Sequence, residues 1–334
     1  MGASVKALVI GLGSMGKRRI RNLQALGVTQ LAGVDPRPDR RVEADARYPL
    51  RSFGNVQQAL LDFSPDLIII STPPDKHMEY AYLAYERRIP CFIEASVVDA
   101  ERVLRLHELT TNGGPLAAPS CTMRYFPGPR KVKELIRSGA IGKVVNINYH
   151  TGQYLKDWHP WESIEDYYVS NRATGGCREI VPFELTWLND IFGEPKPLAC
   201  LRDRVGDLQA DIDDVYHVWL RYPDRATANI TVEVLSRPVA TRELRVIGTC
   251  GQLVFSADEH AVRVTTVESG SWERHELERG RAETGYINPE EPYEAEMRDF
   301  IAAVQSGVPA KFPNTLLDDY KVLQILNTLD QMSI

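Results

Sequence analysis

An α/β protein in two parts is predicted: a parallel sheet with crossover helices over residues 1–120, then a second α/β domain over residues 121–334 with a large open, mainly antiparallel sheet. Three observations predict it. From Val5 to about Ser120, short β-branched runs alternate with amphipathic stretches, the pattern of βαβ units. Beyond that point strand-like runs follow one another with short turn signals between them, as antiparallel neighbours do. A chain of 334 residues also exceeds one ordinary core, at roughly 150 residues per domain.

In chain order, strands are expected at Lys6 to Ile10, Gln30 to Val34, Leu67 to Ser71, Cys91 to Glu94 and, more weakly marked, Pro115 to Ala118. Helices fall between them at about Met15 to Leu26, Asn55 to Leu61, Asp75 to Arg87 and Asp99 to Thr111. Asp75 follows Pro73-Pro74 and Asp99 precedes Ala-Glu-Arg, so each places an acid at the positive end of a helix. A helix near Pro129 to Ser138 leads into strand-like runs at Val144 to Tyr149, Val215 to Tyr222, Thr227 to Leu235, Glu243 to Val246, Leu253 to Ser256 and Val262 to Val267. A helix at about Arg178 to Ile191 interrupts them, and helices near Pro292 to Gln305 and Thr315 to Asp330 close the chain.

Composition narrows the function. Hydrophobic content of 43% and charged content of 25% set aside disordered and fibrous classes. No apolar run approaches the roughly 18 residues of a membrane span. The N-terminus enters a strand without the features of a secretory signal, so a cytoplasmic location is expected. Five scattered cysteines without a Cys-x-x-Cys pair suggest neither a disulfide framework nor a metal site. A net charge of −6, with no free-standing Lys/Arg block, argues against nucleic acid and leaves a small molecule as the expected partner.

The segment Gly11-Leu12-Gly13-Ser14-Met15-Gly16 puts Gly-x-Gly-x-x-Gly between a strand and a helix. Gly11 permits the tight turn, Gly13 lets backbone approach a pyrophosphate and Gly16 allows close helix packing, with the helix N-terminus offering N–H donors. Asp35 ends the second strand 19 residues past Gly16, where a carboxylate accepts the hydroxyls of an adenosine ribose. A Rossmann domain for NAD is therefore expected. Arg37 beside it keeps NADP open, as a partner for a 2′-phosphate.

Here the chain resembles the Gfo/Idh/MocA family, the glucose-fructose oxidoreductase and inositol dehydrogenase group. The resemblance rests on the glycine loop, Asp66 to His77, Ile93-Glu94, Arg124 to Pro127, Gly139 to Lys143, and Gly175-Gly176 leading to Trp187 and Phe192-Gly193-Glu194-Pro195. It implies that Ser71, Thr72 and Pro73 line the cofactor crevice, with Glu94, Ala95 and Arg124 near it, and that His77 positions a helix. It also implies a C-terminal sheet that often forms a dimer interface. Two departures stand out. Members follow the Glu with Lys-Pro, where this chain has Ala95-Ser96, and carry an Asp and a His that align here with Glu179 and Phe183.

Between Gly152 and Gly175 lies Gln153-Tyr154-Leu155-Lys156-Asp157-Trp158-His159-Pro160-Trp161-Glu162, followed by Tyr167-Tyr168. Aromatic faces stack on sugar rings and acids hold hydroxyls, so a carbohydrate pocket is one reading; a core or subunit interface is the other. The segment resembles that of members in surface-polysaccharide and nonulosonate pathways, which implies a sugar or nucleotide-sugar substrate. Lys156, Trp158, Trp161 and Arg178 are the substrate-contact candidates. With Ala95 and Phe183 unable to move a proton, the acid/base candidates are Glu179, His159 and Tyr154. The expected protein is an NAD(P)-dependent sugar oxidoreductase, a homodimer or homotetramer. A catalytically silent cofactor-binding sensor and a non-redox sugar enzyme using NAD transiently stand as alternatives.

Overall fold

The computed structural model describes residues 5–158, 160 and 162–333. The chain divides into two compact units, Met1–Thr122 with Gly280–Tyr320, and Met123–Arg279 with Lys321–Ile334. The first carries β1 (Lys6–Ile10), β2 (Gln30–Val34), β3 (Arg51–Phe53), β4 (Leu67–Ile70), β5 (Cys91–Ile93) and β6 (Ala117–Pro119) in one sheet, ordered β3-β2-β1-β4-β5-β6. Every pair in it is parallel. Parallel strands are covered on both faces, and Leu67 to Ile70 are accordingly all fully buried. The crossovers are α1 (Ser14–Ala25), α2 (Pro38–Arg47), α3 (Val56–Phe63), α4 (His77–Glu86) and α5 (Ala100–Thr111). The strand order reverses between β1 and β4, which puts the switch point of the sheet beside the glycine loop.

Helix starts differ in detail from the sequence expectation. Asn55 caps α3, its side chain accepting from Gln57 N (2.8 Å) and Gln58 N (3.2 Å). Asp75 falls in a 3₁₀ turn, Pro74–Lys76, ahead of α4. Asp99 makes no capping bond; it sits at φ +64° and its carboxylate pairs with Arg102 at 3.2 Å.

The second unit is built on β7 (Val144–Gly152), β8 (Lys196–Asp203), β9 (Val215–Arg221), β10 (Thr227–Glu233), β11 (Thr241–Gly248), β12 (Gly251–Ser256), β13 (Ala261–Thr266) and β14 (Glu273–Glu276). Their order is β14-β13-β12-β11-β7-β10-β9-β8. All pairs are antiparallel except β10 with β7, which run parallel from Thr227 opposite Asn146 to Glu233 opposite Gly152. Helices α6 (Pro127–Arg137) and α7 (Cys177–Phe192) pack against this sheet. Tyr149 of β7 meets Trp187 of α7 edge to face, with centroids 5.4 Å apart. Beneath them the buried Glu184 accepts from Tyr149 Oη (2.6 Å), Trp187 Nε1 (2.7 Å) and Arg242 Nη2 (2.5 Å). Every lone pair so used offsets the burial of a charge. Helix α7 runs without interruption through Pro182, whose carbonyl accepts the Thr186 hydroxyl at 2.8 Å.

The return of Gly280–Tyr320 to the first unit has a clear packing cause. Phe300, on α8 (Glu291–Ser306), and Phe312 form an edge-to-face trio with Phe92 of β5, centroids 5.7 to 6.4 Å apart. Glu290 accepts from Arg18, Arg21 and Asn22 of α1. The last helix, α9 (Leu316–Met332), ends in the second unit, where Asp330 meets Arg178 and Tyr216. Among the described residues no helix is long and apolar enough to cross a membrane, and no group of three or more metal-ligating side chains converges.

Candidate functional site

Candidate residues gather in two groups, one in each unit. In the first unit the glycine loop leaves no room for side chains where backbone meets backbone. A Cβ on Gly11, at φ +93°, would lie 2.4 Å from the Ser71 carbonyl oxygen, and one on Gly16 would lie 1.8 Å from that of Gly11. Gly13 caps α1 without a side-chain hydrogen bond, so the positive end of that helix faces the loop. Leu12 N donates to Asp35 Oδ2 at 2.9 Å, and Arg37 N to Asp35 Oδ1 at 2.9 Å. The Tyr286 hydroxyl donates to the Ser14 carbonyl at 2.9 Å, which fixes the first turn of the helix; Met15 follows in that turn.

The arginine nearest this loop is not the expected one. Arg37 pairs with exposed Asp39, whereas Arg40 Nη1 lies 3.8 Å from Asp35 Oδ2 and 3.4 Å from where a Gly13 Cβ would stand. Arg40 lies in the first turn of the helix that begins at Pro38, a placement visible only once that helix is known.

At the carboxyl ends of β4 and β5, Ser71 Oγ donates to Glu94 Oε1 at 3.3 Å. Glu94 is also gripped by Arg19, through Nε (2.6 Å) and Nη2 (3.1 Å). Arg19 is wholly buried on α1 and went unremarked in the sequence, although it shares a helical face with Gly16 and Leu23. His77 Nε2 lies 2.8 Å from the Thr72 carbonyl, just ahead of Pro73, and burial lowers its pKa, in keeping with a neutral structural histidine. Thr72 Oγ1 and Ser96 Oγ are buried without a hydrogen-bond partner. Orphaned polar atoms beyond the carboxyl ends of β4 and β5, a glycine loop whose backbone packs on backbone and an uncapped helix start fit a dinucleotide. The residues that would hold it are Gly11 to Gly16, Asp35, Arg40, Ser71, Thr72 and Glu94. Ala95 carries no proton-transferring group.

In the second unit, the double glycine shapes the other group. A Cβ on Gly175 would strike the Val169 backbone at 2.1 Å, so the 3₁₀ turn Tyr168–Ser170 lies directly on the start of α7. Glu179, in the first turn of α7, there accepts the Tyr168 hydroxyl on Oε1 at 2.6 Å. Its Oε2 is buried and has no hydrogen-bond partner. Burial pushes this carboxyl up to about 7, against the pull of the Tyr168 bond. Tyr167 stands edge to face with Tyr168, centroids 6.0 Å apart, and burial and Glu179 together raise its phenol pKa.

The other candidates in this unit are occupied differently. Arg178 is held by Asp330 (2.9 Å), Asn327 (3.2 Å) and the Ala173 carbonyl (2.8 Å), a network that ties α7 to α9. Tyr154 lies under the Arg237 guanidinium, 4.4 Å from ring centre. Arg124 Nε donates to the Thr186 carbonyl at 3.1 Å. Lys156 is exposed, and the indole nitrogen of Trp158 is buried without a partner. His159 and Trp161 lie outside the described residues. Phe183 is half-buried on α7. In the sequence Tyr168 stands out only as part of an aromatic run; its pairing with Glu179 depends on the glycine contact that brings the loop onto the helix.

Residues 5–111 match the domain family described as "Oxidoreductase family, NAD-binding Rossmann fold", and residues 130–254 match "GFO/IDH/MocA C-terminal domain". A D-xylose 1-dehydrogenase (NADP(+)) of Hypocrea jecorina is 25% identical over 154 residues, 43% of this chain and 38% of its own length, so the match spans little more than a third of that relative. The crystal structure of an oxidoreductase from Agrobacterium radiobacter with NAD+, L-tartaric acid and magnesium superposes at a TM-score of 0.85 and 16% identity, covering 99% of this chain and 96% of that one. A levoglucosan dehydrogenase with NADH and levoglucosan superposes at 0.82 and 16% identity, covering 98% and 97%. At such identities the superpositions speak for the fold alone.

Proposed function

The chain belongs to the Gfo/Idh/MocA family, with an NAD-binding Rossmann domain, and from that premise we propose that it is an NAD(P)-dependent oxidoreductase of a sugar or nucleotide sugar in which Glu179 handles the proton of the reacting hydroxyl. The observation that carries this reading is the Glu179 carboxyl, with Oε1 bonded to Tyr168, Oε2 buried and bare, and its pKa raised to about 7. A group that exchanges protons near neutrality is the natural acid/base here, where the family resemblance aligns Ala95 and Phe183 with the usual lysine and histidine. The solved relatives named above bind levoglucosan or L-tartaric acid, both of which carry hydroxyl-bearing carbons.

A bound NAD(P)+ would supply the hydride acceptor. The chain's own residues do the rest. Glu179 as carboxylate takes the hydroxyl proton during oxidation, and as carboxylic acid returns it during reduction. The positive end of α7 favours the ionised form, while burial opposes it. The sign for pH follows: oxidation needs the base and rises as pH climbs through about 7, while reduction needs the acid and falls over the same range. Glu179→Gln should lower turnover by about 100-fold or more and leave NADH affinity nearly unchanged. Wild-type turnover in that variant would exclude Glu179 and turn attention to His159 and Tyr154. No turnover by the wild type across a panel of sugars and nucleotide sugars, with NADH binding intact, would replace this reading with a cofactor-binding sensor.

A further inference from the structure

We propose that the Tyr168 hydroxyl is a positioning group that clamps one oxygen of Glu179 and leaves the other, Oε2, as the single atom through which Glu179 exchanges a proton with the substrate hydroxyl. The inference rests on the reading of Glu179 above and identifies what makes that carboxyl usable. The two oxygens are held unequally. Oε1 accepts the Tyr168 hydroxyl at 2.6 Å, and Oε2 is buried with no partner. A buried acceptor left unmade is costly, and a hydroxyl arriving at Oε2 recovers that cost. In oxidation the substrate O–H bond breaks and its proton passes to Oε2, while Tyr168 keeps its own proton throughout.

Tyr168 is itself held from several sides. Its carbonyl accepts Thr174 Oγ1 (3.0 Å) and Asn171 N (3.1 Å). Gly175 has no Cβ, which would lie 2.1 Å from the Val169 carbonyl oxygen, so the turn sits directly against the start of α7. Among the described residues the titratable groups that face Glu179 are Tyr168 and Tyr167, and Glu162 also acts on Tyr167; the adjacent Arg178 is bound to Asp330 and Asn327. Among the described residues the phenol is thus the one donor found on Glu179. A hydrogen bond to a carboxylate is stronger than one to the neutral acid, so the clamp favours the base form that burial disfavours.

The test uses the full chain with ¹³C-labelled glutamate carboxyls. The Glu179 resonance, identified by its loss in Glu179→Gln, should titrate with a midpoint near 7 in the wild type. In Tyr168→Phe the midpoint should rise by about one pH unit, and the pH limb of the oxidation rate should move with it, kcat falling more than KM changes. An unchanged midpoint overturns the clamp. A midpoint that rises while the rate limb stays in place overturns Oε2 as the exchanging atom. If the wild type turns over no sugar at all, the redox reading fails, while the carboxyl titration still decides whether Tyr168 clamps Glu179. Should Tyr168→Phe not fold, ¹³C-tyrosine labelling of the wild type serves instead: one phenol resonance should follow the Glu179 midpoint and lose that response in Glu179→Gln, and its absence overturns the proposal.

Discussion

Asp35 is a carboxylate with both oxygens engaged, Oδ2 by Leu12 N and Oδ1 by Arg37 N, so its negative charge is fixed at the end of β2. Such a charge repels a 2′-phosphate and suits ribose hydroxyls. Arg40 stands 3.8 Å from it and beside Gly13, so it supplies the positive charge that a phosphate would meet. The expected outcome is tighter binding of NADH than of NADPH by the wild type. Arg40→Ala should weaken NADPH by about 10-fold or more, the worth of one charge-assisted hydrogen bond, and alter NADH far less. Titration calorimetry with both cofactors checks it; tighter NADPH binding by the wild type would show that Arg40 outweighs Asp35. Arg37, the arginine that the sequence brought forward, is engaged by Asp39 at 2.6 Å on the exposed start of α2. Proximity along the chain indicated an arginine here, but only the turn from β2 into α2 selects which one faces the loop.

At the scale of elements, the segments with strong apolar periodicity were legible and those without it were not. β1 and β2 match the expected Lys6 to Ile10 and Gln30 to Val34. α2 was missed because Ala44 is its only buried residue, so it has no apolar stripe to detect. β14, Glu-Arg-His-Glu, is an edge strand whose Arg274 pairs with Glu276 and Glu259; charge protects such an edge and hides it from a hydrophobic pattern. β8 at the opposite edge and three-residue β3 escaped for the same reason, since one neighbour is enough to hold an edge. α8 was legible as a helix, but not its task. Its Glu296, wholly buried, accepts Ser120 Oγ (3.0 Å), Cys121 N (2.6 Å) and Thr122 Oγ1 (2.6 Å) and pairs with Arg19 at 3.0 Å. Replacing one partner of a buried pair strands the other charge, so Glu296→Leu should cost about 3–5 kcal/mol. Urea unfolding of the variant checks it, and a loss under about 1 kcal/mol would mean that Arg19 is satisfied by Glu94 alone.

At the scale of the whole molecule, the change of period near residue 120 is visible in the sequence, while the return of Gly280–Tyr320 to the first unit has no local signature. Phe300 and Phe312 signal burial, and nothing in their spacing says that Phe92 is the surface they cover. The sheet of the second unit is a further case. Its outward residues form continuous rows across the strands: Trp219, Asn229, Asn148, Arg245, Val254 and Arg263 stand opposite one another in register, and Leu201, His217, Thr231, His150 and Glu243 form the next row. Trp219 is 45% exposed, Ile247 38% and Leu201 36%, apolar groups set among hydrogen-bonding side chains. That mixture suits a self-complementary contact between two copies, in which each Trp219 anchors a patch of roughly 800 Å² per partner. The chain is therefore expected to be at least a dimer in light scattering at micromolar concentration. Trp219→Glu, which places a charge on that face one strand in from its β8 edge, should shift it to a smaller species without lowering the unfolding midpoint of the remaining fold. A monomeric wild type would remove the sheet face as an interface. An unchanged oligomer in Trp219→Glu would move the contact to another surface.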